Sequence, residues 1–318
     1  MSIDTIIVKK NEHIGFCAII ALCHNPNNHP SALGGLRCLD VDFNAALADV
    51  QYLAQSMHRK AQIHNIAHFG GKSFMLEPKP EHRSACLKQF AKLINELKGR
   101  YIVSWDSGTT TNDLALMKQY TPYVANYDSS ETCGLATATT VYHAISAALA
   151  SKNKNLSGAK IAIQGLGAVG GALAQLCLNA GALVFATETN PSIAKKWESQ
   201  VHLVSETSLL TMQADVFAPC ALSHAITDDR IRDFNCSIIC GGANNQLSSP
   251  SLSRTLHEKA ILYIPEMIAN IGGLWLQSHY YHNPFINLNF EVFSSVRNTT
   301  HQLIEQAKTQ SCPILELL

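Results

Sequence analysis

The chain has 318 residues, enough for two domains with substantial cores. Lys plus Arg and Asp plus Glu number 24 each, so no net charge draws in nucleic acid or an anionic membrane. No N-terminal apolar stretch precedes a small-residue cleavage site, and the longest early apolar run, 14–23, is too short to span a bilayer; a cytoplasmic protein is the expectation. In chain order, 18–22 reads as a buried strand and the Asn-Pro-Asn-Asn-His-Pro stretch at 25–30 as a loop. Residues 44–60 form an amphipathic helix, with Leu47, Val50, Leu53, Ala54 and Met57 at helical spacing and a basic last turn. A second such helix spans 84–98 and is stopped by Gly99, and 101–104 is a short strand ending at Trp105-Asp106. A small-residue helix covers 134–151. Apolar strands then recur at 160–164, 183–187, 201–204, 215–218, 236–240 and 260–264, alternating with helices, which implies a parallel, doubly wound sheet.

Within that second half, Lys160-Ile161-Ala162-Ile163-Gln164 runs into Gly165, Gly167 and Gly170, followed by a helix over 168–179 and a strand ending at Glu188. This is the dinucleotide fingerprint in its strand–turn–helix setting. Gly165 allows the tight turn and Gly167 lets the backbone approach a pyrophosphate. Gly170 lets the helix pack close to the strand. Ala168 and Val169 open the helix, whose free N–H groups and dipole face the phosphates. Glu188 is placed to accept from both ribose hydroxyls, which favours NAD over NADP.

The chemistry is sought in the first half. Lys72 follows Gly70-Gly71 in an apolar stretch, a poor setting for a solvated surface lysine, and desolvation with a second ammonium nearby makes a lysine a base near neutral pH. Lys60, twelve residues earlier, can bind a substrate carboxylate. Asp106 at a strand end either caps the next turn or relays a proton beside a lysine. The ten cysteines contain no C-x-x-C pair and the 14 histidines no H-x-x-x-H on a convincing helix, so neither a disulfide framework nor a metal site is expected.

These residues resemble the amino-acid dehydrogenases acting on glutamate, leucine, phenylalanine and valine, in particular the leucine, phenylalanine and valine branch. The resemblance lies in ordered motifs: Ala32-Leu33-Gly34-Gly35-Leu36-Arg37, Met57-His58-Arg59-Lys60 with Gly70-Gly71-Lys72, Asp106-Ser107-Gly108-Thr109-Thr110, Phe217-Ala218-Pro219-Cys220-Ala221, Gly242-Ala243-Asn244-Asn245-Gln246-Leu247, Leu256-His257-Glu258-Lys259 and Asn270-Ile271-Gly272-Gly273. The pattern along the chain gives the expectation of an α/β substrate domain over 1–127 together with a returning C-terminal helix over 285–318, and a Rossmann NAD-binding domain over 128–284, separated by a cleft. The resemblance implies that Lys60 holds the substrate carboxylate, that Lys72 activates water on the imine carbon, and that Asp106 shuttles protons to the departing amine. Leu33, Gly34, Gly35 and Asn270 would line the substrate. Thr137, Ala218, Pro219, Cys220, Ala243 and Asn244 would surround the cofactor. The implied reaction is reversible, NAD-dependent deamination of an apolar 2-amino acid to a 2-oxo acid and ammonia, in a homodimer or higher homo-oligomer. Departures from the family pattern are Phe69 where Gly-Gly-Gly-Lys is usual, Asn65 where glycine is common, and Ala61 after the first lysine. Phe69 is expected to reshape the substrate pocket, giving a specialised or aromatic preference or weakened catalysis.

Overall fold

Nine residues of alternating exposure form the first strand, β1 (Ile3–Asn11), which pairs antiparallel with the buried β2 (Phe16–Cys23). The computed structural model describes residues 2–25, 29–125, 130–221, 223–282 and 293–318. The middle of the loop expected at 25–30 and the domain boundaries expected at 127/128 and 284/285 lie outside the described residues. After β2 come β3 (Ala32–Leu39), α1 (Phe43–Ile63), β4 (Phe69–Leu76), α2 (Arg83–Glu96), β5 (Tyr101–Trp105) and α3 (Thr111–Lys118). The five strands make one mixed sheet in the order β1-β2-β4-β3-β5, with β3 parallel to both β4 and β5. Asp42 caps α1 by accepting from the N–H groups of Asn44 and Ala45. The helix buries Ala46, Val50, Ala54, His58 and Ala61, a stripe at helical spacing that packs on β4 and β2. On the opposite face of the sheet, α2 buries Cys86, Leu87, Phe90, Ala91 and Ile94 in a core shared with Phe16, Ile20, Leu36, Tyr101 and Val103.

The second part starts with α4 (Ser130–Ala150). It continues through β6 (Lys160–Gln164), α5 (Ala168–Asn179), β7 (Leu183–Thr187), α6 (Pro191–Trp197), β8 (His202–Leu203), α7 (Glu206–Thr211), β9 (Ala214–Pro219), β10 (Cys236–Ile239), α8 (Leu252–Glu258), β11 (Leu262–Tyr263), α9 (Glu266–Ala269), α10 (Gly272–His282) and α11 (Ser294–Gln310). Its six strands are all parallel, in the order β11-β10-β9-β6-β7-β8. The chain winds outward from β6 to one edge, then restarts at β9 beside β6 and winds to the other, the doubly wound Rossmann arrangement with its switch point between β6 and β9. Helix α4 is long and apolar enough over Glu131–Ala150 to cross a membrane by length and composition, but its apolar stretch is 67% buried, and it packs against α5 and α11.

The chain divides into two compact units, Met1–Ser129 with Leu274–Asn287, and Ser130–Gly273 with Leu288–Leu318. The C-terminal helix therefore does not return to the first domain as expected. The apolar stripe of α11, formed by Val296, Thr300, Ile304 and Ala307, is buried against α4 and α9 in the second unit. Only helical periodicity was legible there, and periodicity identifies a buried face without saying what covers it. The segment that does belong to the first unit begins at Leu274 in α10, where the Ser104 hydroxyl donates to Gln277 Oε1 at 2.9 Å. Ile304 is 1% exposed, so Ile304→Ala should destabilise the protein by about 2–4 kcal/mol, measured by chemical denaturation followed through tryptophan fluorescence.

Candidate active site

In a strand, successive side chains point to opposite faces, and β4 uses both. Gly70 lies against α1: a Cβ there would run into Ala54 O and the His58 backbone N–H, the latter at 2.5 Å. Lys72, two residues on, shares that face. On β3 the same alternation puts Leu33, Gly35 and Arg37 on one face and Ala32 and Leu36 in the α2-side core. A Cβ at Gly35 would stand 2.8 Å from both Asp106 Cβ and Trp105 O, and 3.3 Å from Lys72 Nζ. Only glycine leaves room for the lysine and aspartate to meet above this point of the sheet.

They do meet. Lys72 Nζ is 2.6 Å from Asp106 Oδ2, with the lysine side chain 9% exposed and the aspartate 22%. Arg37 Nε donates to the same oxygen at 3.0 Å, and Arg37 Nη1 donates to Asp49 Oδ2 at 2.9 Å. Burial alone would raise the Asp106 carboxyl, but Lys72 and Arg37 outweigh it and hold it at about 2. The loop carrying Asp106 is pinned from below. Thr109 Oγ1 accepts from Asp106 N–H at 3.0 Å, and Gly108 takes the left-handed turn at φ +80°. Thr110, not Asp106, caps α3, forming a capping box with Asp113. Arg37 is the residue that sequence reasoning missed. It stands at the end of a quoted motif, but nothing in the spacing ties it to an aspartate 69 positions away.

Lys60 is buried near the C-terminal end of α1, the helix packed on β4. Two residues earlier His58 accepts the Gly70 N–H through Nδ1 at 3.1 Å, and burial together with His29 lowers its imidazole below the ordinary range, so it stays neutral. Leu33 is fully buried and paired in register with Gly70 and Ile102. Ser104 pairs with Gly35 on β5 and, by alternation, shares the face of Asp106. Gly34 lies on the other face, so close to Gly71 O that a side chain has no space. Phe69 does not stand on the face where a reshaped pocket was expected. Its side chain is on the face opposite Gly70 and Lys72, in the core with Phe90, Ala91 and Tyr101. The substituted glycine became a core residue. Asn65 adopts φ +51°, a left-handed conformation that asparagine tolerates in place of glycine, and Ala61 is simply buried in α1.

In the second unit the residues expected around a dinucleotide stand at the carboxyl ends of β6, β7, β9 and β10. Gly165 turns at φ +88°, and a Cβ at Gly170 would overlap Gly165 O, so α5 closes tightly on β6. Gly167 is different. A Cβ there meets nothing within 4 Å, so the chain's own packing does not ask for glycine, whereas a pyrophosphate against the backbone does. Ala168 and Val169 form the first turn of α5, with Ala168 against Gly134 of α4 and Val169 against Gly242. The two carboxylate oxygens of Glu188 each accept one backbone N–H, from Leu166 and Asn190, both at 2.8 Å. Cys220 N–H donates to Gln164 O and Ala243 N–H to Pro219 O, both at 2.9 Å, tying the strand-end loops together. Ala218 is fully buried within the ladder, paired with Ile163. Burial pushes the Cys220 thiol up to about 12, so it is a protonated neighbour rather than a nucleophile.

Thr137 is buried on α4 and lies close to Gly273. Asn270 Nδ2 donates to Gly242 O at 3.1 Å and to Asn244 Oδ1 at 2.9 Å, while its buried Oδ1 has no hydrogen-bond partner among the described residues. The open space at Gly167, the anchored Glu188 and this orphaned acceptor fit a nicotinamide dinucleotide.

The sequence model of the family described as Glutamate/Leucine/Phenylalanine/Valine dehydrogenase matches residues 130–193 and 187–312. Phenylalanine dehydrogenase of Lysinibacillus sphaericus is 33% identical over 290 residues, 84% of this chain and 76% of the relative. The chain belongs to this family. Leucine dehydrogenase of Geobacillus stearothermophilus is 31% identical over 313 residues, 95% of this chain and 82% of the relative. The crystal structure of L-tryptophan dehydrogenase from Nostoc punctiforme superposes with a TM-score of 0.86 at 28% identity, covering 98% of this chain and 92% of that one. The hetero-hexameric glutamate dehydrogenase from Thermus thermophilus shares the fold, with a TM-score of 0.74 at 20% identity. The protein is thus an amino-acid dehydrogenase, an oxidoreductase acting on the CH–NH2 group of its donor, and enzymes of this family use NAD or NADP.

Two outcomes follow from the Asp106 site. Gly35→Ala should force the Lys72–Asp106 contact apart and cost about 1–3 kcal/mol, seen as a lower denaturation midpoint together with lost turnover. The Asp106 carboxyl sits at about 2 in the folded chain against 3.8 ordinarily, so its contribution, about 2 kcal/mol, is full above pH ~4 and lost as pH falls towards 2. The stability gap between wild type and Asp106→Asn should narrow over that interval in acid denaturation.

Proposed function

We propose that the protein catalyses reversible, NAD-dependent oxidative deamination of an apolar 2-amino acid to its 2-oxo acid and ammonia. The observation that carries this reading is the Lys72–Asp106 pair seated over Gly35, with the buried Lys60 on the adjoining helix. Lys60 holds the substrate carboxylate. Asp106, held as the anion by its two cations, relays the first proton from the substrate ammonium, carrying it only transiently because its carboxyl is held at about 2. Bound nicotinamide supplies the acceptor for the hydride that leaves the 2-carbon. Lys72, having released its own proton to solvent, takes a proton from water as the water oxygen bonds to the imine carbon; Asp106 returns its proton to the nitrogen, and the carbinolamine hydroxyl proton leaves to solvent as the C–N bond breaks to give ammonia and the 2-oxo acid.

An apolar side chain is favoured because Leu33 is buried on the same sheet face as the pair, and a second substrate carboxylate beside it would be unpaired. NAD is favoured over NADP because the Glu188 carboxylate keeps lone pairs for the ribose hydroxyls and repels a 2′-phosphate. The Asn270 Oδ1 acceptor would take an N–H from the nicotinamide amide.

The test is NADH formation at alkaline pH with a panel of leucine, valine, phenylalanine, tryptophan and glutamate. Turnover should be highest with an apolar member. Lys72→Ala should lower kcat by about 10²–10⁴-fold while NAD still binds. Absence of turnover on every amino acid despite cofactor binding would refute the reading, and faster turnover with NADP would refute the role given to Glu188.

A further inference from the structure

We propose that Arg37 is a positioning residue, the standing counter-ion of Asp106, which allows Lys72 to give up its proton without leaving a buried carboxylate unpaired. This inference rests on the reading of Lys72 and Asp106 as the proton-transfer groups. The geometry is specific. Both cations approach one atom, Asp106 Oδ2, Lys72 at 2.6 Å and Arg37 at 3.0 Å. If Lys72 were the sole partner, its loss of a proton would leave an anion 22% exposed with no cation, and the pair would hold that proton tightly. A guanidinium never deprotonates in this range, so its charge stays through the cycle. Asp49 fixes the guanidinium from behind at 2.9 Å, one nitrogen to each aspartate, in a chain Asp49–Arg37–Asp106–Lys72 whose formal charges cancel.

The arrangement is built into the fold. Arg37 shares the β3 face of Gly35, Asp49 comes from α1, and the guanidinium is only 23% exposed. The charged and titratable groups around Asp106 are Lys72 from β4, Arg37 from β3, Asp49 from α1 and the buried Tyr101 phenol from β5; α1 also carries the buried Lys60. Burial, with Asp106 adding to it, raises the phenol, so Tyr101 is neutral and cannot substitute for Arg37 as a counter-ion.

Two substitutions separate this role from a structural one because they move the pair in opposite directions. Arg37→Gln removes the permanent cation, so the Asp106 carboxyl should titrate about one unit or more higher, and the acid limb of the kcat profile, set by release of the Lys72 proton, should also shift to higher pH. KM for the amino acid should stay within about twofold, since Arg37 does not touch the substrate in this scheme. Arg37→Lys should restore part of the shift. Asp49→Asn leaves the guanidinium wholly to Asp106 and should not shift the limb upward. The carboxyl is followed by ¹³C NMR of aspartate-labelled protein, its signal identified with Asp106→Asn, alongside kcat and KM against pH and a thermal melt of each variant. Unchanged Asp106 titration in a folded Arg37→Gln variant would overturn the proposal, as would Arg37→Gln and Asp49→Asn shifting the limb in the same direction. The titration needs no turnover. If the wild type were inactive on every amino acid, the functional reading would fail while the NMR measurement still decided the counter-ion role.

Discussion

A carboxylate taken out of water costs several kcal/mol unless cations meet it, and the Oδ2 atom of Asp106 is met by two. Most of the first unit can be derived from that requirement. Gly35 is bare because Lys72 Nζ and Asp106 Cβ occupy the space above it. Gly70 is bare because α1 must lie close enough to place Asp49 behind Arg37 and to bury Lys60. Thr109 and Gly108 shape the loop that brings the aspartate back over the sheet. The parallel β3–β4 and β3–β5 pairs then align Leu33 with Gly70, and Gly35 with Ser104, in fixed register.

The second unit follows a different logic, one of backbone rather than side-chain charge. Its strand ends are drawn together by main-chain bonds, Cys220 to Gln164 and Ala243 to Pro219, and by close contacts at Gly134, Gly170 and Gly242. What remains open is the position where a dinucleotide would lie. The glycine turn has one residue the protein's own packing requires, Gly170, and one it does not, Gly167. That difference separates a ligand-binding turn from a merely tight one.

Much of this was legible in the sequence, for identifiable reasons. The strands from 160 onward and helix α5 fall within a few residues of their expected places, because buried parallel strands are uniform apolar runs and α5 is bounded by its own glycine turn. Lys72 and Asp106 were legible because each violates its surroundings, a lysine among apolar residues and an aspartate at a strand end. β1, β3 and β4 were not read as strands. Two of them carry paired glycines, which weaken strand propensity, and β1 is an edge strand with an exposed lysine pair. Arg37 and Ser104 acquire meaning only once β3 and β5 are paired, and sequence spacing contains no trace of that pairing. The placement of α11 failed likewise, since its apolar stripe fits any partner of suitable shape.

The alternation along β4 has an evolutionary corollary. Residues 70 and 72 face α1 and Asp106, and residues 69, 71 and 73 belong to the packing around Tyr101 and α2. Neighbouring positions in one short motif thus answer to separate selective pressures. A lineage can exchange glycine for phenylalanine at 69 to enlarge its hydrophobic interior while the Lys72–Asp106 pair on the other face keeps its place. Divergence within a signature motif is then no measure of divergence in catalysis, and the strand can drift on one side while it is held constant on the other.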